Sequence, residues 1–191
     1  MNPILDFLAR LDWSDRRGAH GQAAGRFEAL QPAEVLADIK QGLPAPIDVS
    51  RSVEKTTHYK WFLAAAPDSS FEVWLHEYKP SELRRTGHAT VPHNHRFWLT
   101  SLILRGGFED TRYVRAEEGS IEPSEHRSLR PGNTMVVDPE EIHALSGLRD
   151  STISMVVQSK PVRSYSEVFE NGEVRRYSDL EAKLAELRES L

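Results

Sequence analysis

The strongest signal in the chain is the segment Gly87-His88-Ala89-Thr90-Val91-Pro92-His93-Asn94-His95, in which two histidines lie one residue apart. Side chains alternate between the two faces of a β-strand, so His93 and His95 are predicted to point to the same face. His143 follows later in the chain, and on a neighbouring strand it would complete a three-nitrogen site for one divalent metal ion. Three protein ligands leave coordination positions open for a substrate, which is typical of a catalytic metal site.

The same alternation extends past the two histidines. Phe97, Leu99 and Ser101 continue their parity and are predicted to face inward with them. Glu141 lies two residues before His143 and is therefore an alternative carboxylate ligand. His76 and Trp74 share one face of another predicted strand, where they would line a pocket or pack in the core.

Composition limits the classes of function that the chain can have. Its 191 residues suit a single domain, predicted to cover residues 1–191, with an ordinary hydrophobic fraction of 39%. A net charge of −5 and scattered basic residues give no reason to expect nucleic acid as a partner. The chain has no cysteine, which excludes disulfides, thiolate nucleophiles and iron–sulfur clusters. Any metal ion must therefore be held by His, Asp or Glu.

The sequence also lacks the signals for export or for a membrane span. Asp6, Arg10 and Asp12 interrupt the first residues, which consequently contain no apolar signal-peptide core. The longest apolar runs fall well short of the roughly 20 residues that cross a bilayer. We therefore expect a cytoplasmic protein with no membrane partner.

Periodicity predicts a helical flank, a β-rich body and a terminal helix. In residues 1–46, Pro3 is expected to begin one helix and residues 33–40 to form a second, with residues 15–25 as a loop between them. Turn residues separate many short strands within residues 56–177, which favours an all-β barrel or sandwich. A capping box at Ser178 and a leucine stripe predict a short helix over residues 178–191. The candidate strands are residues 57–65, 71–78, 97–104, 108–115, 134–137, 142–148, 152–158, 165–170 and 173–177.

Two segments resemble the motifs of the cupin superfamily. Gly87, five residues and then His93-Asn94-His95 are similar to the first motif, although its glutamate is replaced by Leu99 or Thr100. Gly132 followed by His143 resembles the second motif in a weaker form. The resemblance covers roughly residues 57–160. It implies an all-β double-stranded β-helix, the jelly-roll barrel of cupins, with His93, His95 and His143 as the metal ligands.

A three-histidine cupin site without a carboxylate resembles that of the cysteine dioxygenase (thiol dioxygenase) family. This resemblance implies Fe(II), a small substrate that chelates the metal, and O2. Gln158 stands where that family has its catalytic tyrosine, and Lys60 stands where it has a carboxylate-binding arginine. Both are candidate catalytic residues: Gln158 would hydrogen-bond substrate or O2, and Lys60 would pair with a carboxylate as a point charge.

The residues leave several alternatives open. Imidazole ligands also suit Zn, Ni, Mn or Cu, so the ligand set does not select the metal. A cupin isomerase or lyase would use the same site to polarise a carbonyl without O2, and a non-catalytic cupin would only bind a ligand. The terminal helix is expected to pack against the domain, with homodimer formation as its second use.

Overall fold

The computed structural model describes residues 3–42, 46–84 and 88–178. Three helices come first: α1 (Pro3–Leu8), α2 (Arg16–Glu28) and α3 (Pro32–Lys40). Eleven strands follow: β1 (Asp48–Glu54), β2 (His58–Ala65), β3 (Phe71–Tyr78), β4 (Leu99–Arg105), β5 (Phe108–Arg115), β6 (Ile121–Leu129), β7 (Thr134–Val137), β8 (Ile142–Ser146), β9 (Ile153–Ser159), β10 (Tyr165–Glu170) and β11 (Glu173–Ser178). Among the described residues, no helix has the length and apolar character that crossing a bilayer requires.

The strands form two facing sheets, to which a hairpin is added. The larger sheet has the order β1-β2-β3-β9-β4-β7, and the smaller has the order β6-β5-β8. From β4 to β9 the chain passes repeatedly between the two sheets, which is the winding of a jelly roll. Strands β10 and β11 pair with each other through the Asn171-Gly172 turn. The architecture is thus the expected all-β double-stranded β-helix, the cupin barrel.

Two hydrophobic clusters lie on opposite faces of the larger sheet. The outer cluster joins the helices to the sheet through residues such as Leu8, Phe27 and Met155. The inner cluster lies between the sheets and includes Phe62 and Ile103. The helices therefore cover the outside of the barrel, and the interior is left for the site described below.

The helical flank differs from the sequence prediction in one element. Residues 15–25 were expected to be a loop and the flank to contain two helices, but α2 runs through this segment and makes three. The side chain of Asp15 accepts a hydrogen bond from the Gly18 N–H at 3.0 Å and caps the helix. Ala19, Ala23 and Phe27 recur at four-residue spacing and are buried, so tertiary packing outweighs the low helix propensity of the glycines.

Two strands, β1 and β6, were not predicted because both are edge strands with largely exposed side chains. Such strands lack the alternation of buried and exposed residues that reveals a strand in a sequence. Pro123 lies within β6, where proline is tolerated on an edge. Ser178, the expected cap of the terminal helix, ends β11, and residues 179–191 of that predicted helix lie outside the described residues.

Candidate metal centre

Backbone pairing holds the His-Asn-His segment against the strand that carries His143. The His93 N–H donates to the carbonyl of His143 at 2.9 Å, and the His143 N–H donates to the carbonyl of His93 at 2.8 Å. His93 also bridges Val168 on β10. Residues 94–98 then continue without regular strand structure until Leu99 begins β4. Irregular backbone, rather than a strand ladder, therefore positions His95.

The three predicted ligands meet at one point. One ring nitrogen from each of His93, His95 and His143 lies within 4.8 Å of the others. The Nε2 atoms of His95 and His143 are 3.0 Å apart. Two nitrogen ligands at right angles on one metal ion, each bound at roughly 2.1 Å, would be separated by about 3.0 Å. The pair thus already has the spacing of adjacent ligands.

The hydrogen bonds at the back of two rings determine which nitrogens are protonated. Nδ1 of His93 lies 2.9 Å from the carbonyl oxygen of Val91, and Nδ1 of His143 lies 2.7 Å from Oδ1 of Asp110. Both partners only accept, so Nδ1 is the donor in each pair, and in a neutral ring Nε2 is then the nitrogen that carries no proton. Unprotonated Nε2 atoms are the form in which histidine binds a metal ion. The donor set therefore fits a divalent cation.

Asp110 is a fully buried carboxylate behind His143, and nothing in the sequence indicated it. It has no solvent exposure, and besides His143 it accepts hydrogen bonds from Arg112 Nε at 2.8 Å and from Arg127 at 3.0 Å. Burial alone would raise the pKa of Asp110, but the hydrogen bond and charge of His143 and the two guanidinium groups hold it well below its usual range. A carboxylate behind a metal-binding histidine fixes its ring and increases its basicity.

A cavity of about 640 Å³ opens beside the histidines and is lined by all three of them. Leu99 and Ser101 of β4 line it too, as the parity argument predicted. Phe97 and its neighbour Arg96 both line it from the irregular segment, where the alternation of a strand does not apply. The other walls are largely apolar and come from both sheets; they include Phe108, Met135, Leu145 and Val156. Its volume suits a small molecule.

Lys60 and Gln158 line the same cavity, from β2 and β9. Lys60 Nζ donates to Gln158 Oε1 at 3.2 Å, and Gln158 Nε2 donates to Glu72 Oε2 at 2.9 Å. Lys60 Nζ also lies 4.4 Å from the centre of the Trp74 ring. Burial, with a smaller contribution from Lys55, lowers the pKa of Lys60 to about 8, although Glu72 opposes the shift. The cavity therefore contains a cation whose charge is only partly balanced.

His76 and Tyr78 of β3 add two polar groups to the cavity wall. Within the described part of the chain, Nε2 of His76 is buried and has no hydrogen-bond partner. Burial, together with His58, Lys60 and His95, lowers the pKa of His76 well below its usual value, so the ring is neutral. Burial and the charge of Asp110 raise the pKa of Tyr78, which keeps its phenol protonated. Gln158 has no phenol, but Tyr78 brings one to the wall of the same cavity.

Two other candidates from the sequence lie away from the cavity. Glu141 pairs with Arg112 at 2.7 Å and accepts a hydrogen bond from the backbone N–H of Asp138 at 2.7 Å. It belongs to the network behind the histidines and is not part of the group of His93, His95 and His143. Trp74 packs edge-on against Phe62 in the inner cluster, with ring centres 5.0 Å apart.

Comparison with known proteins finds similarity only in structure. No family profile matches the chain, and no curated protein matches its sequence. It is similar to KdgF from Halomonas sp., with 18% identity and a TM-score of 0.42 over 61% of this chain and 94% of that one. It is also similar to ectoine synthase from P. lautus, with 16% identity and a TM-score of 0.44 over 65% of this chain and 76% of that one. A third similar structure is the DMSP lyase DddQ from Ruegeria pomeroyi DSS-3, with 15% identity and a TM-score of 0.40 over 63% of this chain and 57% of that one. Likeness at this level does not indicate which reaction the chain performs.

Proposed function

We propose that this chain is a non-haem Fe(II) dioxygenase that acts on a small, metal-chelating, anionic substrate, in the manner of thiol dioxygenases. The proposal depends on one observation: three imidazoles converge at one end of a cavity, and no carboxylate joins their group within the described residues. The carboxylate position of the cupin motif is occupied by Leu99, which lines the cavity with an apolar side chain.

A ligand set of three neutral imidazoles would leave the full double charge on a bound metal ion. Such an ion favours anionic ligands, and a thiolate or an enolate would be bound more strongly than a neutral group. When bound, Fe(II) supplies coordination positions for substrate and O2 and the electrons that activate O2. The side chains of the cavity would bind and orient the substrate.

Lys60 is the residue that we propose binds the substrate's carboxylate. Its side chain is half-buried in the cavity wall, where a charge pair is stronger than in water. Gln158 orients the ammonium group through its Oε1 atom, and Glu72 in turn fixes the amide of Gln158. A substrate carboxylate would supply the negative charge that this arrangement lacks.

Tyr78 and the apolar walls complete the proposed site. The protonated phenol of Tyr78 is available to donate a hydrogen bond to an anionic substrate atom. Phe97, Leu99 and Met135 exclude water from the reacting groups, which strengthens each electrostatic contact inside the cavity. These side chains would orient the substrate with its sulfur toward the histidines and its carboxylate toward Lys60.

Oxygen uptake tests the proposal directly. The protein is loaded anaerobically with Fe(II) and screened in an oxygen electrode against thiol carboxylates and against diketones. A thiol substrate should consume one O2 per molecule and gain both oxygen atoms at sulfur, RSH + O2 → RSO2H, with no external reductant. Mass spectrometry detects the sulfinate, and His95→Ala is the inactive control.

Two results would overturn the proposed reaction. Turnover of a carbonyl substrate under argon with Zn or Mn would instead support a metal-dependent isomerase or lyase. Stoichiometric metal binding without O2 uptake on any chelating substrate of the panel would support a binding protein.

A further inference from the structure

Asn94, the residue between two proposed ligands, is fully buried, and within the described part of the chain its hydrogen bonds go to Glu167. Its backbone N–H donates to the carbonyl of Glu167 at 3.0 Å. Its side-chain Oδ1 accepts from the Glu167 N–H at 2.7 Å, and its Nδ2 donates to Glu167 Oε2 at 3.1 Å. An amide can make this pair of side-chain contacts because it offers an acceptor and a donor side by side.

Glu167 is itself held in place by charge. It lies on β10 with only 4% exposure, and its carboxylate contacts Arg115 at 2.6 Å, Arg163 at 3.3 Å and Arg176 at 3.6 Å. Burial would raise the pKa of Glu167, but the Asn94 hydrogen bond and the arginines lower it, so the carboxylate stays ionised. Ionised and surrounded by three cations, Glu167 is a rigid anchor.

We propose that Asn94 and Glu167 form a clamp that sets the metal affinity of the site by fixing the position of His95. This inference rests on the proposed metal-binding function. His95 lies in irregular backbone, whereas His93 is held by bridges to His143 and Val168. The clamp joins the residue before His95 to β10 and thereby supplies the restraint that a strand ladder would otherwise provide. Asn94 and Glu167 are positioning residues, since neither lines the cavity.

The chemistry of the clamp permits a swap experiment. Asn94→Asp keeps the size of the side chain but places a carboxylate against the carboxylate of Glu167. Glu167→Gln removes the anchor's charge, and an amide NH2 facing Asn94 would also face Arg115 and Arg163, because Oε2 of Glu167 accepts from all three side chains. The N94D/E167Q pair keeps the same total charge and removes the contact between two carboxylates. The matched control is Glu173→Gln on the same hairpin, whose carboxylate is exposed and pairs with Arg175 at 3.4 Å.

The measurement is the Co(II) affinity of each purified protein, titrated by absorption and checked by competition with Zn(II). Asn94→Asp and Asn94→Ala should bind Co(II) 10- to 100-fold more weakly than the wild type, the range found for residues that orient metal ligands. N94D/E167Q should recover part of the loss seen in Asn94→Asp, because it removes the contact between two carboxylates, and Glu173→Gln should match the wild type. Thermal melting of the metal-free proteins shows that each variant is folded at the titration temperature.

The outcomes separate this inference from the proposed function. Wild-type affinity in Asn94→Asp, or no recovery in N94D/E167Q relative to Asn94→Asp, would overturn the clamp. If Asn94→Ala does not fold, the comparison of Asn94→Asp with N94D/E167Q still tests the clamp. A wild-type protein that binds no Co(II) or Zn(II) would refute the metal site itself, and the clamp with it.

Discussion

Replacing Asp110 by asparagine changes one buried atom behind the metal ligands and should weaken metal binding. In the native protein, Oδ1 of Asp110 accepts from His143 Nδ1, while Oδ2 accepts from Arg112 and Arg127. An asparagine has only one side-chain oxygen, which cannot accept from His143 and from the two arginines at the same time. If its oxygen faces His143, its NH2 group is directed at two guanidinium groups. If its NH2 group faces His143, the ring proton must move to Nε2 and block the metal.

Both orientations carry a cost that can be estimated. Loss of a carboxylate that supports a metal-binding histidine lowers metal affinity roughly 10- to 100-fold, which corresponds to about 1.4–2.7 kcal/mol. Folding stability should fall as well, because breaking a buried ion pair costs roughly 3–5 kcal/mol. We expect the lower end of that range, since Arg127 is partly exposed and Arg112 keeps its contacts with Glu141 and the carbonyl of Val136.

Competition calorimetry with Zn(II) on Asp110→Asn measures the first quantity, and urea denaturation of the metal-free protein measures the second. Glu109→Gln is the matched control. It makes the same charge change on the same strand, but Glu109 contacts Ser128 and His126 rather than a metal ligand. If Asp110→Asn binds Zn(II) within twofold of the wild type while remaining folded, the carboxylate has no role in holding His143.

Three further predictions follow from buried groups. Desolvation lowers the pKa of His20 to about 4 from 6.5, so its stabilising contribution is complete above pH 6.5 and is lost as the pH falls from there to about 4. Urea titrations should show that the free energy of unfolding is about 2 kcal/mol lower at pH 5 than at neutral pH, and this decrease should be absent in His20→Phe. An equal decrease in that variant would contradict the prediction. Because the pKa of Lys60 is about 8, substrate KM should rise above pH 8, and Lys60→Met should raise KM at pH 7 and abolish that rise. Gln158→Ala should retain its metal but raise KM, because Lys60 loses its orienting contact; unchanged kinetics would remove Gln158 from the site.

Much of the candidate site could be predicted because its pattern is local. Motif spacing was enough to group His93, His95 and His143, although residues 94–98 form no strand and the strand parity assumed for His95 does not apply there. Within β4 the parity argument holds, and Leu99 and Ser101 both line the cavity. Strands with a clear buried face, such as β3 and β5, were predicted with their observed bounds. Helix α2 was missed because its buried face consists mainly of alanines, which give little hydrophobic contrast with the exposed face.

The residues that position the ligands could not be predicted, because their partners are distant in the chain. Asp110 reaches His143 only through the pairing of β5 with β8, which sets Arg112 opposite His143. Asn94 meets Glu167 only when β10 returns beside the first motif. A buried polar residue does not reveal its partner in a single sequence, so contacts of this kind become visible only in the folded structure.

Crystals soaked with Fe(II) or Zn(II) and measured at the metal's absorption edge test the three-histidine metal site most directly. We expect one strong anomalous peak at roughly 2.0–2.2 Å from a ring nitrogen of each of His93, His95 and His143. No peak at this point, or a peak held by other residues, would contradict it.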